Sequence, residues 1–498
     1  MGALGILAKA SRFAFARGSA RLAKKAPAPP IPPAAYDAIP APVSDAYTLG
    51  FAKAEIMPPD LKKPDDRPKR KYWVAGYRIG NAAVGVLDPM TCSAVWLDDN
   101  SGRGGVFLLS ADTIGMSGAD CDAIRESMAD ELSGIGCRGV FIMSTHNHAG
   151  IDTLGYWGPL PRTGRDPRFM RIVFEGCRRV MRAAYADRRR GKLWHGAVEA
   201  PPVLRDTRPP EVFSNTLTRL RFVPEGGGRE TWLINFASHS ESLLGQNSLV
   251  SADFPCYLRR EIMKQAGAEA IYFVGAIGGL IRPKELDEDN VRSTVACGVQ
   301  LARAVMAIEN ERELPALLQL LHQPYYAEVE NLMFLSAARL GIFRAKRFGT
   351  GEASTGAAIL TQMTYINLGG LQMLLLPCEL FPELAYGGYL DAAESATGLG
   401  GEVNPVPLAH LAGDEDLLIF GLCNDMTGYA VPPNDWFLGE SSYFGGGKDA
   451  AGRKHYEETN SLGPKTAQTI ADVFAGMMER IRARQREQTE GNPRIQST

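Results

Sequence analysis

Residues 138–155 read RGVFIMSTHNHAGIDTLG, and the interpretation of this stretch decides how the rest of the chain is read. Val140 to Met143 is the short apolar run of a fully buried strand. It gives way to small polar residues and then to His146 and His148, with one residue between them. In an extended segment residues i and i+2 project to the same side, so both imidazoles can face one cavity. Gly150 and Gly155 mark a loop, where site residues tend to sit on a rigid scaffold. The chain has seven histidines, so two at one strand end call for an explanation. A polar loop with two hydrogen-bonded histidines explains the stretch taken alone, because a metal site needs at least a third ligand.

Working outward, strand-like and helical runs alternate. Ala94 to Leu97 and Val106 to Ser110 read as strands, Cys121 to Leu132 as a helix, and residues 168–186 as another. Leu217 to Val223 and Thr231 to Phe236 read as adjacent strands. Cys256 to Ala266 is a helix leading to the strand Ala270 to Val274, the loop GAIGG and a long helical pattern ending near Asn310. Leu371 to Leu376 is a further apolar strand, and Thr466 to Ile481 a final helix with one apolar face. This order predicts an α/β fold with βαβ units and a mixed central sheet covered by helices. Asn331 to Lys346 is apolar and then basic. Helical packing in the core explains it, and a helix at a pocket mouth or against lipid is the alternative.

The 498 residues are 45% apolar and 22% charged, with a net charge of −2. That is an ordinary globular composition with no basic excess for nucleic acid. No apolar run reaches the length of a membrane-spanning helix. Eight cysteines without a CxxC pair fit buried thiols in a reducing compartment. A cytoplasmic or peripheral membrane location is expected, and export stays open. Residues 1–25 form a basic tail with no acidic residue, open to three readings: an amphipathic helix on an anionic bilayer, a targeting peptide, or a disordered tail. Residues 26–44 read as a proline-rich linker, 45–482 as the folded domain, and 483–498 as a disordered tail. Oligomeric state is not legible.

Other strands also end in ionisable residues. His239 follows Thr231 to Phe236, Glu379 follows Leu371 to Leu376, and Asp425 and Tyr429 follow Asp416 to Phe420. Residues distant in sequence converge at strand ends in open α/β sheets, and two imidazoles with one carboxylate make a hydrolytic zinc site with an open position. A phenolate can complete the shell. Each residue also has an ordinary explanation: a hydrogen-bonded core histidine, a helix-capping Glu379, a packed Tyr429.

The blocks TLGFAKAEIMPP, YWVAGYRIGNAAVGVLDPMTCSAVWLDD, GVFLLSADTIGM, STHNHAG, NFASHSESL, LVSADFPCYLRREI, FVGAIGGLIRP, LPCELF, NDMTGYAVPP and HYEETNSLGP resemble, in this order, those of the neutral (non-lysosomal) ceramidases. The resemblance implies zinc held by His146, His239, Glu379 and Tyr429. It also implies a substrate-facing His148, an Arg208 near the reacting carbonyl and a Tyr456 that holds the developing oxyanion. The chain departs from the family at Ala149-Gly150-Ile151, at Gly279 where the family has an aspartate, and in extra residues within 436–453. It stops before the immunoglobulin-like domain of longer members. The expected activity is zinc-dependent cleavage of an N-acylated lipid, with ceramide the leading substrate. A zinc hydrolase of another amide or ester, and a non-catalytic lipid-binding protein on the same scaffold, are the alternatives.

Overall fold

Strand Gly139–Ser144 turns Val140 and Ile142 to one face and Phe141 and Met143 to the other, and all four are buried. The neighbouring strands repeat this two-residue alternation. In Thr91–Asp98, Cys92, Ala94 and Trp96 lie with the first pair, and Val95 and Leu97 with the second. The structure is a computed structural model that describes residues 14, 17–18, 21, 28–32, 34–36, 42–61, 70–350, 355–439, 443 and 447–490.

Two sheets dominate. A nine-stranded sheet runs Glu269–Val274, Thr231–Phe236, Thr216–Pro224, Arg189–Glu199, Tyr47–Glu55, Thr91–Asp98, Val106–Ala111, Gly139–Ser144, with Arg312–Leu314 added beside Arg189–Glu199. Its two outermost pairs are parallel and the rest antiparallel. A six-stranded sheet runs Ala35–Tyr36, Leu318–Glu328, Ala357–Leu368, Leu371–Leu375, Leu418–Phe420, with Arg347–Gly349 beside Ala357–Leu368.

The mixed α/β class is as expected, but the layering differs from a single covered sheet. One apolar cluster joins Leu49, Val95, Leu108, Phe141 and Phe273 of the larger sheet to Leu320, Ile366, Met373 and Phe420 of the smaller. The sheets therefore pack face to face. Helices cover only their outer faces. Helix α1 (Pro167–Ala186), α2 (Asp253–Ala266) and α3 (Asn290–Met306) lie on the larger sheet, and α4 (Thr466–Glu490) on the smaller. An apolar run buried on both sides reads the same whether a helix or another strand lies across it.

Several elements depart from their expected bounds. The helix read over Cys121 to Leu132 is two, Gly118–Glu126 and Ala129–Gly134, separated at Ser127-Met128. The Asn331 segment is helical only over Leu332–Arg339, capped by the Asn331 side chain and stopped before Gly341 at φ +71°. Helix α4 runs to Glu490, into the tail expected to be disordered from 483, because Arg, Gln and Glu sustain a helix. Residues 491–498 and most of the basic tail 1–25 lie outside the described residues. The proline-rich linker is partly docked, since Ala35–Tyr36 pairs with Leu321 and His322 at the sheet edge.

The strand ends that carry the site are pinned by a buried ion pair. Arg259 of α2 donates to both carboxylate oxygens of Asp112 at 3.0 and 2.8 Å. Asp112 follows the strand Val106–Ala111 and also accepts from the backbone and hydroxyl of Thr91. Asp112→Ala leaves the guanidinium buried without its partner. It should lower unfolding stability by about 3–5 kcal/mol, read by denaturant titration; a loss under about 1 kcal/mol would contradict the pinning role.

Candidate metal centre

Four strand ends meet at one edge of the two packed sheets. His146 follows Gly139–Ser144 and His239 follows Thr231–Phe236 in the larger sheet. Glu379 and Tyr429 follow Leu371–Leu375 and Leu418–Phe420 in the smaller, and are partners in a short parallel bridge. Hydrogen bonds lace the sheets together there. Asn424 N–H donates to Ile142 O (2.7 Å), Asn424 Oδ1 accepts from Ile142 N–H (2.8 Å), and Gly421 N–H donates to Val274 O (3.0 Å).

His146 Nδ1 lies 2.7 Å from Ile114 O, and His239 Nδ1 lies 2.8 Å from Ile281 O. A carbonyl only accepts, so each ring donates through Nδ1 and turns the lone pair of Nε2 inward. Both Nε2 atoms meet the same atom, Glu379 Oε2, at 3.2 Å from His146 and 3.1 Å from His239. The Tyr429 hydroxyl is 3.4 Å from His239 Nε2. Two lone pairs facing a carboxylate oxygen repel unless a proton or cation lies among them. Ligands about 2.0–2.2 Å from a tetrahedral zinc stand roughly 3.3 Å apart, which is the spacing found. The donor set therefore fits a divalent metal of the zinc type. All four residues are buried. Burial disfavours the charge on Glu379, but positive charge shared with the His146 and His239 rings outweighs it and holds the carboxyl well below its usual range.

The convergence expected of the two neighbouring histidines is present, by a different backbone from the one expected. His146 is not extended; it adopts φ +53°, a conformation that side chains other than glycine rarely take. The turn brings its ring within 4.7 Å of both His148 and His239. His146, His148 and His239 can each offer a ligand nitrogen within 4.8 Å of the others. His148 differs from the other two. Its ring nitrogens make no hydrogen bond, although Nδ1 stands 3.1 Å from Glu241 Oε2. Burial and the neighbouring imidazoles push its pKa well down.

Tyr456 lies beside Tyr429, and Arg208, over the Phe381 ring that packs on Tyr429, has its donors turned into a cage of acids. The Tyr456 ring is 6.5 Å from that of Tyr429 and the residue is 48% exposed. Arg208 was expected beside the reacting carbonyl. Its guanidinium is instead buried in a cage of acceptors: Asp435 (3.0 and 2.7 Å), Glu457 (2.8 Å) and Glu458 (3.0 Å). With its donors engaged, it anchors the 3₁₀ turn Glu457–Asn460 that follows Tyr456. Sequence reasoning also passed over Glu241, buried beside His148. The available signal was its position two residues after His239, the same spacing as the first histidine pair. Gly279 sits at φ +84°, where a Cβ would lie 3.2 Å from the Asp206 carboxylate, so an acidic side chain there would crowd another acid.

Two solved structures share this architecture. The chain superposes on neutral ceramidase from Pseudomonas aeruginosa with a TM-score of 0.64 and 15% identity, over 89% of this chain and 75% of that one. A structure described as ceramidase complexed with C2 gives 0.64 and 16% identity, over 89% of this chain and 76% of that one. The fold is that of the neutral ceramidases. No protein-family model matches the chain, and no curated protein matches it in sequence. Within the neutral-ceramidase fold, the histidine, glutamate and tyrosine side chains at the strand ends form the buried polar cluster described above.

Purified with zinc present, the full-length protein should hold one zinc per chain by mass spectrometry of metals. His239→Ala and Glu379→Ala should each lose it, and chelation should lower the melting temperature of the wild type by mass action. A wild type that takes up no stoichiometric metal would contradict the donor-set reading.

Proposed function

We propose that this protein is a zinc-dependent hydrolase that cleaves the amide bond of an N-acylated lipid, with ceramide the favoured substrate. The observation that carries the proposal is the meeting of two imidazole nitrogens and Glu379 Oε2 within 3.2 Å, in a chain with the neutral-ceramidase fold. His146, His239, Glu379 and Tyr429 would hold the metal. Zinc bound there would supply a Lewis acid and a water acidified to near neutral pH.

The chain's own groups account for the remaining steps. Addition of water to the amide carbonyl carbon releases a proton, and rupture of the C–N bond requires one on the departing amine. His148 has two buried ring nitrogens without hydrogen-bond partners beside the cluster, so a ring lone pair is placed to take that proton. Glu241 Oε2 stands 3.1 Å from His148 Nδ1, and a small turn of the ring would let it accept the Nδ1 hydrogen and leave the lone pair on Nε2. Tyr456 lies beside Tyr429, where its hydroxyl can donate to the carbonyl oxygen as negative charge develops. Arg208 contributes by holding the turn behind Tyr456 rather than by touching substrate.

Wild type should release fatty acid and sphingoid base from N-acyl sphingosines, followed by mass spectrometry, and chelation or His146→Ala should abolish the release. Cleavage of simple N-acyl amides but not of ceramides would remove the substrate assignment and keep the chemistry; zinc-independent cleavage would remove both. Tyr456→Phe should reduce turnover by about 10²–10³ with zinc content unchanged. Loss of zinc in that variant would contradict its role.

A further inference from the structure

Segments 73–87, 154–165 and 331–350 together contain seven Lys or Arg and no Asp or Glu, in a chain of net charge −2. The three are joined in space. Gly80 N–H donates to Trp157 O (2.8 Å), Thr163 Oγ1 donates to Ile342 O (2.9 Å), and Tyr156 stacks on Phe343 at 5.5 Å between centroids. The same segments expose large apolar side chains: Ile79 at 59%, Leu160 at 52% and Leu340 at 51%, with Tyr77, Val84 and Met333 beside them in sequence. These six are half of the exposed large apolar residues among the described residues. A surface that concentrates them marks an interaction site.

The charges and the apolar tips point to the same occupant. Arg165 and Arg344 both bond to Asp120, and Lys346 to Asp122, which fixes the 340–346 turn against the helix behind it. Arg78 bonds to the neutral groups of Asn81, Gln246 and Ser248, and Arg162 is exposed; neither pairs with an acid among the described residues. A Cβ on Gly18 would stand 3.1 Å from the Arg339 guanidinium, so Gly18 approaches this face as well, and Arg17 beside it is exposed. Single apolar side chains on separate loops, spaced between cations, suit insertion among anionic lipid headgroups. The face also borders the histidine cluster. The Tyr77 and His148 rings pack edge-on with 5.5 Å between centroids, and Gly76 packs so closely on the His148 ring that a Cβ would overlap it.

We infer that this face docks the protein on a lipid bilayer carrying anionic headgroups, with the metal centre turned toward the membrane. The orientation rests on the lipid-amide reading; the docking itself needs neither metal nor turnover. Sedimentation of the full-length protein with vesicles of phosphatidylcholine, alone or mixed with phosphatidylserine, tests it. Wild type should bind the anionic vesicles at least about tenfold more tightly, and less so as salt rises. The triple variant Ile79→Asp/Leu160→Asp/Leu340→Asp and the double variant Arg78→Glu/Arg162→Glu should each weaken that binding by about tenfold or more. Their melting temperatures report folding, and the double variant alters only exposed side chains should the triple one misfold. His146→Ala should bind vesicles like wild type, which separates failure of docking from failure of the hydrolase reading. Wild type that ignores anionic vesicles, or a folded double variant that binds them undiminished, overturns the proposal.

Discussion

Two imidazole lone pairs and one carboxylate oxygen are turned on a single buried point, and much of the surrounding structure exists to keep them there. Left without a cation or a shared proton, they would repel. Their positions are over-determined. Each histidine is fixed by an Nδ1–H bond to a backbone carbonyl, His146 is held in a left-handed turn, and Glu379 is bridged to Tyr429. Such a conformation costs about 1–3 kcal/mol and persists only where the surroundings enforce it.

The sheet-on-sheet packing explains how residues so far apart in the chain reach that point. Each sheet supplies two strand ends. Hydrogen bonds from Asn424 and Gly421 close the seam between the sheets beside the cluster. Around this fixed base sit groups of a different kind. His148 with Glu241, and Tyr456 on its arginine-anchored turn, border the cluster. The acidic cage keeps Arg208 charged despite its burial, since Glu457, Glu458 and Asp435 outweigh the cost of desolvation. The cage is thus a strong internal brace for an otherwise irregular segment.

Much of this was legible in the sequence. The apolar runs at Val106, Val140, Thr231, Ala270 and Leu371 became strands because continuous burial leaves little choice between period and length. Of the ionisable residues at strand ends, His146, His239, Glu379 and Tyr429 meet, whereas Asp425 turns away to accept from Gly118 N–H. What sequence could not carry was the identity of the covering layer, since Val95 and Trp96 look alike whether they face a helix or a strand. Nor could it carry the engagement of Arg208, which depends on Asp435, Glu457 and Glu458 lying more than two hundred residues away. The turn at His146 was hidden for a local reason: nothing in Ser-Thr-His-Asn-His advertises a left-handed residue, and the hydrogen bonds that enforce it come from Ile114 and the Thr113 region.

Anomalous diffraction at the zinc edge, from crystals of the full-length protein grown with zinc, tests the central claim most directly. A single strong peak bonded to His146 Nε2, His239 Nε2 and Glu379 Oε2, with Tyr429 adjacent and the His148 ring unbound, is the predicted result. A peak ligated by the His148 ring in place of Glu379, or no peak among these residues, would contradict it.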